Sequence, residues 1–293
     1  MPAIHHDYAQ INGVRLHYAH AGTGERVLFL HGFPEFWYCW KSQLEAFGRD
    51  HHALAPDLRG YNLSDRPSDV KQYRGRVLVE DIRQLVMHFG GEPIALVAHD
   101  WGGALAWGLA IAHPELLRRL VIVNSPHPVP FARELAHNPA QQAASQYMNL
   151  LRSDKAERVL SENNFARLQQ MTLDAWAGAE ATPADRAAYI AAWAQPGALT
   201  GGLNYYRASP LYPPLGDDPG AAALKLDPAA FTVRVPTLVV WGMRDRALLP
   251  AVLDGLEDCV PGVRIERLDD ASHWVMHEQP LRLNALIREF IAD

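Results

Sequence analysis

Cysteine is nearly absent from this chain: among 293 residues there are two, Cys39 and Cys259. Two such distant residues cannot build a disulfide framework, and neither sits at a metal-ligand spacing, so no metal site is expected. Positive charge is also scarce, with 27 basic residues against 33 acidic ones and a net charge of −6. The densest basic group, Arg74 to Arg76, is too short for a stripe that neutralises phosphates, which argues against a nucleic-acid partner. Long apolar runs are missing as well. No stretch approaches the roughly 18–20 residues that cross a bilayer, so no membrane partner is expected. The polar start, Met1 to Gln10, carries no visible secretory signal. What remains is the expectation of a soluble, cytoplasmic protein.

Apolar residues make up 48% of the chain and charged residues 20%, an ordinary balance for a globular protein with a substantial core. Near the N-terminus, Tyr8–Ile11 and Val14–Ala19 flank Asn12-Gly13, a strong hairpin signal. Short apolar runs then alternate with helix-like stretches. Val27–Leu30, His52–Pro56, Ile94–Ala98 and Leu120–Asn124 read as strands, and Tyr73–Phe89 and Gly102–His113 as helices. This alternation predicts an α/β fold with a mostly parallel sheet covered on both faces. After Ser125 the rhythm stops for about a hundred residues of helices and loops. Strands resume at Pro236–Trp241 and Val263–Leu268, and a last helix runs from Gln279 to Ile291. The expected organisation is a core of residues 1–127 and 229–293 with a helical cap, 128–228, inserted in it.

One run concentrates the chemistry: Ile94-Ala95-Leu96-Val97-Ala98-His99-Asp100-Trp101-Gly102-Gly103. A buried strand ends in small-x-Asp-x-Gly and a helix follows at once. Small residues on both sides are what a tight strand-to-helix turn demands, and such a turn lifts its middle side chain above the sheet beside the positive helix end. An aspartate there could equally be a plain helix cap. The surrounding motifs favour the first reading, and here the chain resembles the α/β-hydrolase family, in particular its epoxide hydrolase and haloalkane dehalogenase branch. In that branch Asp100 corresponds to the nucleophile that replaces the usual serine. Ala98 stands where the family commonly has glycine.

The remaining assignments follow from that resemblance. His31-Gly32-Phe33-Pro34-Glu35 matches a His-Gly-x-Pro loop, which implies an oxyanion hole from the backbone amides of Phe33 and Trp101 and a substrate-binding role for both residues. Asp57-Leu58-Arg59-Gly60-Tyr61-Asn62-Leu63-Ser64-Asp65 matches a structural loop, with Asn62 in a glycine position. Asp245, just beyond the strand ending at Trp241-Gly242, is implied as the acid, and His273 as the base, in the order nucleophile, acid, histidine. Some relatives take the acid from the end of the preceding strand, where this chain has Asn124, which cannot serve. His277 falls too far into the helix start to be the base.

A carboxylate is ionised at neutral pH and attacks saturated carbon without a general base, so Asp100 points to two-step hydrolysis of an epoxide or a carbon–halogen bond. An opening epoxide needs a proton donor. Asn204-Tyr205-Tyr206-Arg207 is similar to the epoxide hydrolase cap motif, implying Tyr206 as that donor, and Tyr147 aligns as its partner. The resulting expectation is an epoxide hydrolase acting on a small hydrophobic epoxide and water, without a cofactor. A dehalogenase using the same aspartate is the alternative, supported by Trp101, and an inactive hydrolase-fold receptor is a third reading. Trp176, Tyr189, Trp193, Leu199 and Leu203 suggest an apolar substrate, or else pack the cap on itself. The choice between monomer and homodimer stays open.

Overall fold

A computed structural model describes residues 2–292. Eight strands form one sheet: β1 His5–Ile11, β2 Val14–Ala21, β3 Arg26–Leu30, β4 His52–Pro56, β5 Ile94–His99, β6 Leu117–Val123, β7 Thr237–Gly242 and β8 Arg264–Leu268. Their order is β1-β2-β4-β3-β5-β6-β7-β8. The pairs β1/β2 and β2/β4 are antiparallel, and every pairing from β4 to β8 is parallel.

The inner strands are apolar over their central residues because both faces are covered. Leu28, Leu30, Leu96, Ala98, Leu120 and Ile122 join one buried cluster, while Val27, Phe29, Ala95, Val97, Val121 and Val123 alternate into a second on the opposite face. Helices Gly75–His88 and Asp100–Ala112 close the first face. Helices Lys41–Phe47 and Pro280–Ala292 close the second.

Two helix starts differ from expectation. The stretch expected as one helix from Tyr73 is a 3₁₀ turn, Val70–Tyr73, followed by Gly75–His88, because Arg74 is extended between them (ψ 142°). The helix expected from Gly102 begins two residues earlier, at Asp100 itself.

Between β6 and β7 the chain forms helices Pro128–His137, Pro139–Ala144, Tyr147–Arg152, Ala156–Met171, Pro183–Trp193 and Ala198–Ala208. Helix Ala156–Met171 breaks where Asn163, Asn164 and Phe165 adopt left-handed backbone (φ 51–60°). The Asn-Asn pair tolerates that conformation better than most residues. The loop after β4 is held by buried Asp57, which accepts hydrogen bonds from Trp37 N–H (3.0 Å) and Asn62 Nδ2 (2.8 Å) and pairs with His17 Nδ1 (2.6 Å). Asn62 takes the positive φ (40°) that its glycine position requires.

Candidate active site

Asp100 stands at the junction of β5 and the helix Asp100–Ala112, with φ at +50°. An L-residue pays about 1–2 kcal/mol for left-handed backbone, so its neighbours must hold it there. Ser125 Oγ donates to the Asp100 carbonyl (2.7 Å). Glycines make the room: a Cβ on Gly32 would lie 2.1 Å from Asp100 Oδ1, and one on Gly102 would lie 2.5 Å from the His31 carbonyl oxygen. The turn therefore presents the carboxylate to the loop His31–Glu35, where Phe33 N–H donates to Asp100 Oδ1 (2.7 Å).

His273 follows β8, and its Nε2 lies 3.8 Å from Asp100 Oδ2. Its Nδ1 is 2.7 Å from Asp245 Oδ2. Asp245 is buried and fully engaged: Ala247 and Leu248 N–H donate to Oδ1 (2.8 and 2.9 Å), and Asn124 Nδ2 donates to Oδ2 (2.8 Å). Asn124 also accepts from Gly242 N–H (2.8 Å), fastening the ends of β6 and β7 together. An asparagine cannot be the acid, and the sequence signals its part in holding the acid only by its place at a strand end.

Electrostatics bind these groups into one unit. Burial raises the Asp100 carboxyl above the ordinary carboxylate range, against the opposing pull of His273 and the amides of Phe33 and Trp101. Burial alone would lower the His273 imidazole, but the charge and hydrogen bond of Asp245, with the charge of Asp100, outweigh it and push the ring up to about 9. Both carboxyl groups thus favour the protonated form of the His273 ring.

A cavity of about 340 Å³ opens on Asp100. Trp101, Leu105, Phe131, Met148 and Leu211 form much of its wall, and among the described residues Asp100 and exposed Arg76 are the charged groups that line it. Tyr147 and Tyr206 line it as well, their rings 6.4 Å apart, and the Tyr206 ring meets Trp101 edge-on at 5.1 Å. Burial raises the hydroxyls of both tyrosines, with nearby Asp100 adding to the effect. Tyr205, next in sequence, spends its hydroxyl on the Arg59 carbonyl (2.9 Å).

Phe33 lies off this wall. Its ring packs edge-on against Tyr206 (5.3 Å) and borders a separate void of about 20 Å³, so of the two expected substrate contacts only Trp101 faces the large cavity. The apolar cap residues are also elsewhere. Tyr189 donates to buried Glu35, Trp193 Nε1 donates to the Pro34 carbonyl (2.7 Å), and Trp176 stacks on His277 (4.1 Å). Leu203 is fully buried, and Leu199 borders the small void. Tyr189 and Trp193 fasten the helices between β6 and β7 to the core, because their polar tips find partners on the loop His31–Glu35. Among the described residues no group of three or more His, Cys, Asp or Glu side chains is arranged to hold a metal ion. No helix among them is long and apolar enough to cross a membrane.

A strained carboxylate on a strand-to-helix turn, under a mostly parallel sheet order, defines an α/β-hydrolase. The family model described as alpha/beta hydrolase fold matches residues 25–280. The chain is 38% identical to the AB hydrolase superfamily protein YfhM of Bacillus subtilis, over the full length of both. It is 35% identical to epoxide hydrolase 2 of Caenorhabditis elegans, covering 98% of this chain and 80% of that one. A crystal structure of a Bacillus megaterium epoxide hydrolase variant, complexed with its product (R)-3-[1]naphthyloxy-propane-1,2-diol, is 36% identical with a TM-score of 0.89, covering 98% of this chain and all of that one. The chain belongs to the α/β-hydrolase fold family, in its epoxide hydrolase branch. It is a hydrolase of ether bonds.

Proposed function

We propose that this enzyme converts a small hydrophobic epoxide to a vicinal diol in two steps, through an ester on Asp100. In the first step an Asp100 oxygen attacks an epoxide carbon, the ring C–O bond breaks, and Tyr206, with Tyr147 beside it, gives a proton to the alkoxide. In the second, His273, oriented by Asp245, takes a proton from water as that water attacks the ester carbonyl carbon. Amides of Phe33 and Trp101 receive the negative oxygen of the tetrahedral intermediate. Collapse breaks the bond between the ester carbonyl carbon and the substrate oxygen, which takes the proton held by His273. The diol leaves, a water oxygen stays in the Asp100 carboxyl group, and the remaining proton of that group returns to the Tyr206 phenolate through solvent. Residues 128–228 act as the lid that brings the tyrosines over the core formed by 1–127 and 229–293, of which Met1 and Asp293 lie outside the described residues.

The observation that carries this reading is one apolar cavity holding the Asp100 carboxylate and both tyrosines. The charges favour the order of steps. Both hydroxyls stay protonated at neutral pH, ready to donate. When the ester forms, the negative charge of Asp100 disappears, which makes the tyrosines better acids as the alkoxide develops. The same loss removes one of the charges that kept His273 protonated, moving the ring toward the neutral form that a base requires. The 3.8 Å between His273 and Asp100 leaves the ring beside the ester without a direct bond to it.

The test is a single turnover in oxygen-18 water with an aryl glycidyl ether. The expected result is diol with label in the Asp100 carboxylate, and label confined to the product would overturn the ester. A parallel assay with haloalkanes and haloacetates separates the alternative that Trp101 suggests, since halide release without diol formation would replace the epoxide by a carbon–halogen bond.

A further inference from the structure

We infer that Glu278 is a positioning residue for the hydrolytic step, tying the loop that carries His273 to the lid. This rests on the two-step reading above. Glu278 ends the short helix Val275–Glu278 and lines neither cavity. Its Oε2 accepts from Ser272 N–H (2.6 Å), and its Oε1 accepts from Ser272 Oγ and from Ala177 N–H (2.6 Å). Ser272 immediately precedes His273. Ala177 belongs to the lid segment between helices Ala156–Met171 and Pro183–Trp193. One carboxylate, with its lone pairs spread over two oxygens, thus joins a base-loop residue to a lid residue by charge-assisted hydrogen bonds.

The base loop is fixed on its other sides by groups that cannot give. A Cβ on Gly242 would lie 1.9 Å from the Ser272 carbonyl oxygen, so the end of β7 already abuts the loop. Buried His99 Nε2 is 3.0 Å from the His273 carbonyl oxygen. Asp245 holds the His273 ring, Arg244 N–H donates to the Ala271 carbonyl (2.9 Å), and Glu278 supplies the anchor that depends on the lid. His277, its neighbour, stacks on Trp176 at 4.1 Å and 13°, so the two consecutive residues grip two consecutive lid residues. Loss of this grip lets the imidazole drift from the water it must deprotonate. A misplacement of about 1 Å costs up to roughly 10²-fold in rate. Glu278 is not hydrogen-bonded to Asp100, Tyr147 or Tyr206, which carry the first step.

Rapid-quench measurement of ester formation and decay tests this in wild type, Glu278→Gln and Ser272→Ala. The expected result for Glu278→Gln is ester decay slowed about tenfold or more with formation changed less than about twofold, so that ester accumulates. Ser272→Ala keeps the two backbone donors and should slow decay by a smaller factor, again without touching formation. A purely structural role would lower thermal stability while leaving the ratio of the two rate constants at its wild-type value, and that outcome would overturn the inference. If Glu278→Gln does not fold, Ser272→Ala decides alone, and an unchanged ratio there counts against it. A wild type that forms no ester would overturn the two-step reading itself, whereas a wild-type ester with unaltered decay in the variants would sink only the role of Glu278.

Discussion

The buried carboxylate of Asp245 engages three donors besides His273, and a buried acceptor that loses a donor cannot turn to water. Asn124→Ala removes the donor to Oδ2 and also strands Gly242 N–H. The expected outcome is a loss of about 1–3 kcal/mol in urea denaturation, together with slower ester decay. Unchanged stability would show that the amide is replaceable. The adjacent tyrosines allow a sharper contrast. Tyr206→Phe should slow epoxide opening about 10²-fold in single-turnover assays, the scale of a positioned general acid. Tyr205→Phe, whose hydroxyl is bonded to the Arg59 carbonyl, should cost about 1 kcal/mol of stability and leave opening near wild type. Equal effects on opening would remove Tyr206 from its role.

Helix Ala198–Ala208 carries Tyr206 and crosses the loop after β4 at backbone contact. A Cβ on Gly201 would lie 2.3 Å from the Gly60 carbonyl oxygen and 2.6 Å from Gly60 Cα. Neither neighbour is a flexible side chain, so Gly201→Ala must push the helix outward. Overpacking of this kind costs about 1–3 kcal/mol. The accompanying shift of Tyr206 should lower the opening rate, measured against the melting temperature of the same variant. A variant that melts lower but opens epoxide at the wild-type rate would show that the helix absorbs the strain away from Tyr206. At this scale the chain was legible where hydrophobic period and turn chemistry agree, as in the β1–β2 hairpin around Asn12-Gly13. It was less legible at Arg74, where one extended residue splits an apparently continuous helical pattern.

Across the whole molecule, the place of His273 between Asp100 and Asp245 links protonation to stability. Its folded-state value of about 9 lies above the unfolded histidine value of ~6.5. The stabilisation is therefore fully present below pH ~6.5 and is lost as pH rises through about 9. The melting temperature of wild type relative to His273→Gln should fall across that window. A constant difference would mean that His273 is not protonated in the resting fold. The raised Asp100 carboxyl acts at the other end: ester formation should gain its acid limb above the ordinary carboxylate range, read from the pH profile of the single-turnover rate.

The chain by itself determined the α/β architecture, because strand and helix periods and the small residues around Asp100 are local properties. Asp100, Asp245 and His273 each belong to a motif contiguous in sequence at or shortly after a strand end, and the fold brings the three together. Only the tertiary structure decided what surrounds them. Asn124 reaches Asp245 across 121 residues, and Glu278 reaches Ala177 across 101. Tyr189 and Trp193 bond to the loop His31–Glu35, while the cavity wall is assembled from residues scattered between Tyr73 and Leu248. Such contacts depend on how layers meet, and no local pattern records that.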